Sequence, residues 1–380
     1  MYKINIPFFL LFLLGTACSS DNNNTTSVPH DDEPKNTISR LEFIDEFIIS
    51  EQNIDNIPIG GFSGIDYNGD IWYLISDSSS PARYYTANIV YNQNEFTSIS
   101  LNKMIVIKDA SGNPIIENTI DPESIRYDIT SQSIIYTSEG IIANGISPSL
   151  YKMHLNGKRL QTYSLPDNFK ANTSNGLTGP RHNGTLEGLC TSFDKNGYWI
   201  GMELPLIEDG ASPTITDTES PVRITKINKI STKPEYQFAY ELDAVDRKPT
   251  LGTDISLNGL TELIEYNENQ FLVLERSFSS GYLDGGNTVK IYKVDATNAT
   301  NTLSMSSLAG KTYTKATKTL LFKFDDIRNK LTFNIVGNIE GITFGPTLPD
   351  GSKSLIAISD NNFNRIFPQL NQLILFKVIP

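Results

Sequence analysis

Acidic residues recur in this chain at the ends of short apolar runs, and most of them recur in pairs. Glu123 opens one unit and Glu139 closes it; Glu187 with Glu203 and Glu340 with Asp360 repeat the arrangement. In two further units the closing acids are Asp77 and Glu275, set opposite Ser63 and Asn258. Converging carboxylates are hard oxygen ligands for a divalent cation, and Ca2+, with its large and flexible shell, is the natural choice. The expected ligands are Glu187, Glu203, Glu340, Asp360 and Asp77. A carboxylate left outside the shell can serve as a general base, for which Glu123, Glu139, Glu187 and Glu275 are the candidates. Cations stand close by. Arg83 follows Asp77, Arg126 follows Glu123, Arg276 follows Glu275 and Arg365 follows Asp360, while Arg181 and His182 precede Glu187. Guanidinium groups suit bidentate contact with phosphate or carboxylate, so these residues, with Asn258, are the candidate substrate-binding set.

Convergence of like charges carries an energetic penalty. Two carboxylates about 6 Å apart repel by roughly 3 kcal/mol at an effective dielectric near 20. Several such pairs need a bound cation, neighbouring arginines or raised pKa values. Acids at strand ends can also be purely structural, taking backbone hydrogen bonds and arginine partners without doing chemistry. With three histidines and, apart from Cys18, only Cys190, a zinc site of the usual composition is not expected. Nucleophilic serine chemistry lacks its strained elbow, since Gly61-Phe62-Ser63-Gly64 does not supply the G-x-S-x-G pattern.

The elements that position these acids follow from a repeat. Ser63-Gly64-Ile65, Glu123-Ser124-Ile125, Glu187-Gly188-Leu189, Asn258-Gly259-Leu260 and Glu340-Gly341-Ile342 each precede an apolar run that ends in Asp or Glu. Turn residues such as Asn68-Gly69-Asp70 and Asp194-Lys195-Asn196-Gly197 lie between the two parts, as hairpins require. Two more strand-like runs follow most copies, so each unit reads as a four-stranded antiparallel meander, the blade of a β-propeller. The fifth unit is one strand short, and LEFIDEFII, from Leu41 to Ile49, precedes the first. Pairing that segment with LILFKVI near the C-terminus would close a five-bladed ring and remove its open edge. A sixth, degenerate blade between Ser277 and Lys330 is the alternative. Within a hairpin the start of one strand lies beside the end of the next, which gathers the paired acids on one face of the wheel.

Residues 1–17 have the anatomy of an export signal: Lys3, the apolar run Ile6 to Leu14, then Gly15, Thr16 and Ala17 ahead of Cys18. The pattern resembles a bacterial lipobox, with Cys18 the expected lipidation site, although Gly15 stands where Leu is usual. Residues 18–38 are polar and acidic and read as a flexible tether, and 39–380 as a single propeller domain. The expectation is an exported monomer, held to the outer membrane only through its lipid, with the orientation left open. A net charge of −12 argues against nucleic acid as a partner.

At the repeated strings the chain resembles a known family, the phytase-like propellers described as having esterase-like activity of phytase. The carriers are GGFSGIDY with WYLISD, DPESIR with IYTSE, NGTLEGLC with WIGME, NGLTEL with FLVLERSF, and NIEGITFGP with LIAISDNNF. The resemblance spans Leu41 to Pro380 and implies a secreted propeller that hydrolyses ester or phosphoester bonds of a small substrate with the help of a metal. The aspartate-rich DAADDPA-type string of β-propeller phytases is absent, the nearest segment being Asp121 to Ser124, so phytate hydrolysis is not implied. Two other functions compete: a lactonase-type propeller hydrolase, which Asn258 among the acids would suit, and a non-catalytic surface binder of glycan or protein.

Overall fold

The computed structural model describes residues 37–380 except 51, 175, 251–254 and 365–368. The expected signal, Cys18, all but the end of the tether, and Arg365 lie outside the described residues.

The chain enters with β1 (Arg40–Ile48) and a short hairpin of β2 (Asn53–Ile54) and β3 (Ile57–Pro58). Blade one follows as β4 (Phe62–Tyr67), β5 (Trp72–Ser76), β6 (Arg83–Tyr91) and β7 (Phe96–Val106). Blade two is β8 (Pro122–Asp128), β9 (Ser133–Ser138), β10 (Ser149–Met153) and β11 (Arg159–Thr162). Blade three is β12 (Leu186–Thr191), β13 (Gly197–Met202), β14 (Pro221–Asn228) and β15 (Pro234–Glu241). Blade four is β16 (Ser256–Asn267), β17 (Gln270–Ser279), β18 (Asn287–Asp295) and β19 (Thr317–Lys323). Blade five has β20 (Asn338–Phe344), β21 (Lys353–Asp360) and β22 (Gln372–Ile379), and takes β1 as its fourth strand. The pairing runs antiparallel from Arg40 opposite Ile379 to Ile48 opposite Gln372. This is the closure expected from the sequence: first and last strands share a blade, and the ring has no seam of unpaired backbone there.

The innermost strands form the hub, β4 against β8, β8 against β12, β12 against β16, β16 against β20 and β20 back against β4. Second strands such as WYLIS of β5 and SIIYTS of β9 are buried along their whole length. Both of their faces meet a neighbouring blade, so they read as continuous apolar runs instead of alternating ones. The core lies between blades. Trp199 of blade three packs on Phe238 and on Phe271 of blade four, and Phe62 and Trp72 of blade one share a cluster with Ile358 and Leu373 of blade five.

The interval read as a possible sixth blade is something else. Residues 296–316 form no strand and lie along the outer edge of blade three. Thr302 and Ala316 donate their amides to the carbonyls of Gln237 and Ala239 at 2.8 and 3.0 Å. The segment covers the free edge of β15, which would otherwise be open to another chain.

Candidate active site

One irregularity of the hub decides which side chains reach its axis. Every innermost strand carries a bulge near its start, between Phe62 and Gly64, Pro122 and Ile125, Leu186 and Gly188, Leu260 and Glu262, and Ile339 and Gly341. A bulge leaves a residue out of the ladder and re-aims its side chain. Aligned on the bulges, the five re-aimed residues are Ser63, Glu123, Glu187, Thr261 and Glu340. The residues at the adjacent ends of the second strands are Asp77, Glu139, Glu203, Arg276 and Asp360. The second set is thus four carboxylates and one guanidinium.

Blade four therefore departs from the sequence expectation. Its bulge falls at Thr261, three residues beyond Asn258, and the strand-end position belongs to Arg276 and not to Glu275. Neighbours on a strand face opposite ways, so only one of Glu275 and Arg276 can point at the axis. Glu275 points away. It accepts hydrogen bonds from Tyr240, from Asn258 at 2.7 Å and from the Asp243 amide at 3.1 Å, and pairs with Lys318 at 2.7 Å. Glu275 and Asn258 are thus a buried brace between blades three and four, outside the acid-lined cavity, and the candidate catalytic and substrate-binding roles assigned to them from the sequence are corrected. The signal was present: counting six residues through WYLISD, IIYTSE, YWIGME and LIAISD ends on an acid each time, and the same count through FLVLER ends on Arg276.

The next residue inward is Gly64, Ser124, Gly188, Glu262 or Gly341. Small residues dominate because the strands crowd at the axis: a Cβ on Gly341 would stand 3.1 Å from the Gly64 Cα. The exception, Glu262, meets Arg126 there at 2.7 Å, with both side chains buried. Glu262 also accepts from Ser124 Oγ at 2.8 Å and the Leu189 amide at 2.9 Å, while Arg126 donates to the carbonyls of Ile65 at 2.9 Å and Ile342 at 3.4 Å. One ion pair therefore joins all five blades and closes the channel beneath the acids. Arg126 is part of this plug and does not reach the mouth, a second correction. Glu262 went unnoticed in the sequence because its position is glycine or serine in the other blades.

Above the plug lies a cavity of about 300 Å3. Eight carboxylates line it, those of Asp77, Asp121, Glu123, Glu139, Glu187, Glu203, Glu340 and Asp360, with Arg276 the one cation among its lining residues. Asp121, which the sequence placed in DPES without a role, joins Glu123 and Glu139 in a set whose carboxylate oxygens lie within 4.8 Å of one another. Glu139, Glu187 and Glu203 form a second such set, so Glu139 belongs to both. Glu340 and Asp360 stand apart from these sets: Asn338 donates to them at 2.8 and 3.3 Å. Arg276 bridges the two regions, 3.2 Å from Glu203 and 3.6 Å from Glu340.

The electrostatics follow from burial and crowding. Loss of hydration, then the charge of Glu187, drives the Glu123 carboxyl well above its ordinary range, and burial with Glu203 and Glu139 nearby does the same to Glu187. Asp77 is raised by burial and by Asp360. Burial moves Asp121 to about 7, with Glu139 adding to it. Glu203 is pushed up to about 7 and Glu340 to about 8 by burial, in both cases against the pull of Arg276. Glu139 is also raised by burial, although the Thr185 amide at 2.5 Å and the nearby exposed His182 hold it down. Without a cation the cavity must keep protons at neutral pH.

The remaining expected cations are placed differently. Arg83 donates to the Tyr85 hydroxyl at 2.6 Å and to the carbonyls of Pro81 and Pro58 at 2.9 and 3.0 Å. It lines a neighbouring cavity of about 580 Å3 with Ser78, Ser80, Asn361 and Phe363. Arg181 holds the carbonyls of Pro205 and Gly210 at 3.0 and 2.8 Å and braces a loop.

The model of the phytase-like family described as "Esterase-like activity of phytase" matches residues 57–363. The chain belongs to this family. No curated protein matches this phytase-like propeller. Among solved structures it is similar to Myxococcus xanthus glutaminyl cyclase, with 11% identity, 90% of this chain and 100% of that chain covered, and a TM-score of 0.38. It is also similar to a family-43 β-1,3-galactosidase, with 8% identity, coverage of 89% and 94%, and a TM-score of 0.45. The fructofuranosidase of Schwanniomyces occidentalis gives 10% identity, coverage of 88% and 58%, and a TM-score of 0.41. Likeness at this level says nothing about the chemistry of the cavity.

Proposed function

We propose that this phytase-like propeller is a calcium-dependent hydrolase of phosphoester or carboxylic ester bonds. The observation that carries the reading is the pair of carboxylate sets sharing Glu139, placed beside a lone arginine in a closed-bottomed cavity. The donor set suits Ca2+, because every candidate ligand in the two sets is a hard carboxylate oxygen; the expected ligands Asp77, Glu340 and Asp360 line the same cavity outside both sets. Asp121, Glu123, Glu139, Glu187 and Glu203 would hold the cation, which when bound supplies charge neutralisation, polarisation of a substrate oxygen and a more acidic water.

The protein's own groups do the rest. Arg276, the one cation among the lining residues, binds the anionic or carbonyl oxygen of the substrate. Glu340 lies outside both carboxylate sets, is held by Asn338 and faces Arg276, and is the carboxylate left to serve as general base. The buried Arg126–Glu262 pair ties the hub strands together on the axis. The lactonase reading loses the residue that suggested it, since Asn258 is engaged with Glu275. Export, lipid attachment at Cys18 to the outer membrane and a monomeric state, all read from the sequence, complete the proposal.

The test is a panel of nitrophenyl phosphate, phosphodiester and acetate together with simple lactones, assayed with calcium or chelator. Calcium-dependent turnover of a phosphate or acetate that Glu139→Gln abolishes is the expected result. Turnover confined to lactones would favour the lactonase, and none in a folded, calcium-loaded protein would leave a binding propeller.

A further inference from the structure

The face of the wheel opposite the acids is made by the first hairpin turn of each blade. In blades one, two and three these turns carry Ile71, Ile129 and Phe193, which are 37%, 69% and 47% exposed. The β14–β15 turn of blade three, at the same end, adds Ile230, 92% exposed. Ile129 lines a hollow of about 240 Å3 together with Tyr67, Tyr127, Thr191, Lys195 and Lys229. Phe193 stands between Thr191 and Lys195 in the chain, and Ile230 follows Lys229, whose amide donates to the Asn196 carbonyl at 2.9 Å. The exposed apolar residues of blades two and three thus gather round one hollow. Single exposed apolar side chains are ordinary, but a group of them on neighbouring turns marks a contact surface.

Charges around this hollow offset one another. Asp128 pairs with Lys229 at 2.9 Å and Asp194 with Lys226 at 2.8 Å, while Lys195 and Asp70, both exposed, are of opposite sign. The apolar tips are what remains. The chain also enters the propeller at this end. β1 starts opposite Ile379 and finishes opposite Gln372, beside the acid-bearing end of β21, so its first residue, Arg40, lies at the turn side of blade five. The entry is fixed there: the Ile38 carbonyl accepts from Lys293 Nζ at 2.9 Å, and the Ser39 amide donates to the Ile379 carbonyl at 2.8 Å. The segment that carries Cys18 therefore joins the propeller on the side away from the cavity.

We propose that the turn face of blades one to three is a membrane-docking surface, which rests on the bilayer that holds the lipid at Cys18. Ile129, Phe193 and Ile230 enter the headgroup region, and Tyr67 and Tyr127 line the hollow between the tips, at the wet-to-apolar boundary that tyrosine suits. A lipid anchor alone does not set which way the propeller faces; insertion of these tips does. The acid-lined cavity then opens away from the membrane, towards substrates in solution. The inference rests on the reading of Cys18 as a lipid site and is independent of the hydrolytic reading of the cavity.

The mature chain with Cys18→Ser carries no lipid, so its co-sedimentation with vesicles of phosphatidylethanolamine and phosphatidylglycerol reads the face alone. The expected result is partitioning that survives about 0.5 M salt, where a contact made only by exposed charges is screened. Adding Ile129→Ser and Ile230→Ser should weaken it at least tenfold, roughly the loss of one buried isoleucine, with the melting temperature unchanged because both side chains are exposed. Leu283→Ser, on a fully exposed side chain of the β17–β18 turn at the cavity side, should leave it unchanged. No partitioning, partitioning lost in salt, or partitioning that depends on Leu283 and not on the isoleucines overturns the proposal. So does a dimer in light scattering that the isoleucine changes dissociate, because the face then belongs to a second copy of the chain. Mass spectrometry of Cys18 in the wild type keeps the two claims apart. Lipid on Cys18 with no partitioning of the Cys18→Ser chain overturns the face and leaves the anchor; partitioning with no lipid on Cys18 supports the face and overturns the anchor.

Discussion

Glu275 and Arg276 are sequence neighbours with opposite fates, and substitution should separate them. Glu275 is 1% exposed and holds Tyr240, Asn258 and Lys318. Removing one partner of a buried pair leaves the other unpaired, so Glu275→Ala should lower stability by about 3 kcal/mol in denaturant titration while the kinetics of the folded fraction stay unchanged. Arg276→Ala should act on the chemistry as well, lowering kcat/KM of the folded fraction by at least tenfold, with some loss of stability because Glu203 and Glu340 lose their counter-charge. Loss of folding with unchanged kinetics would contradict the substrate role of Arg276. The exchange of these two roles was readable in the length of the apolar run. The consecutive triplets Asn258-Gly259-Leu260 and Thr261-Glu262-Leu263 compete for the place in the repeat, however, and only the first has the small middle residue of the other copies.

At the scale of elements, the hub strands are joined by the Arg126–Glu262 pair, which touches every blade. Glu262→Gln should lower stability by about 3–5 kcal/mol, and Arg126→Met by a similar amount, because either change strands a buried charge. The double variant should lose less than the sum of the two, a coupling that a double-mutant cycle in urea measures. Strictly additive losses would show that the pair does not act as one unit. The blade count, the hairpins and the closure by β1 were legible because they depend on apolar runs and turn residues, which are local. The plug was not. Arg126 stands three residues after Glu123, and only the bulge between them, invisible in composition, turns one towards the mouth and the other towards the axis. Asp121 escaped notice for a similar reason: it precedes the strand, and its approach to Glu139 depends on the path of the ring.

For the molecule as a whole, crowding of buried carboxyls links folding to pH. Asp121 and Glu203, at about 7, and Glu340, at about 8, keep protons that the same groups in the unfolded chain release near pH 4. The native state therefore binds more protons over this interval. The stability these groups contribute is complete below about pH 4 and is lost as pH rises through 7 to 8. In chelator, the melting temperature should fall across that window. Calcium should oppose the fall by replacing protons with a cation, so its stabilising effect should be larger at pH 8 than at pH 5. An effect of equal size at both pH values would mean that the cation does not compete with those protons.

Calcium titration by isothermal calorimetry, wild type against Glu139→Gln, tests most directly whether the carboxylate ring is a cation centre. The account expects saturable binding at or below millimolar calcium in the wild type, with a melting temperature that rises by mass action and falls again with chelator. It expects both responses to be strongly weakened in Glu139→Gln, because Glu139 belongs to both carboxylate sets. No heat at millimolar calcium, together with a melting temperature indifferent to chelator, would contradict it: the ring would then be neutralised by protons and Arg276 alone, and the calcium-dependent hydrolase reading would fall.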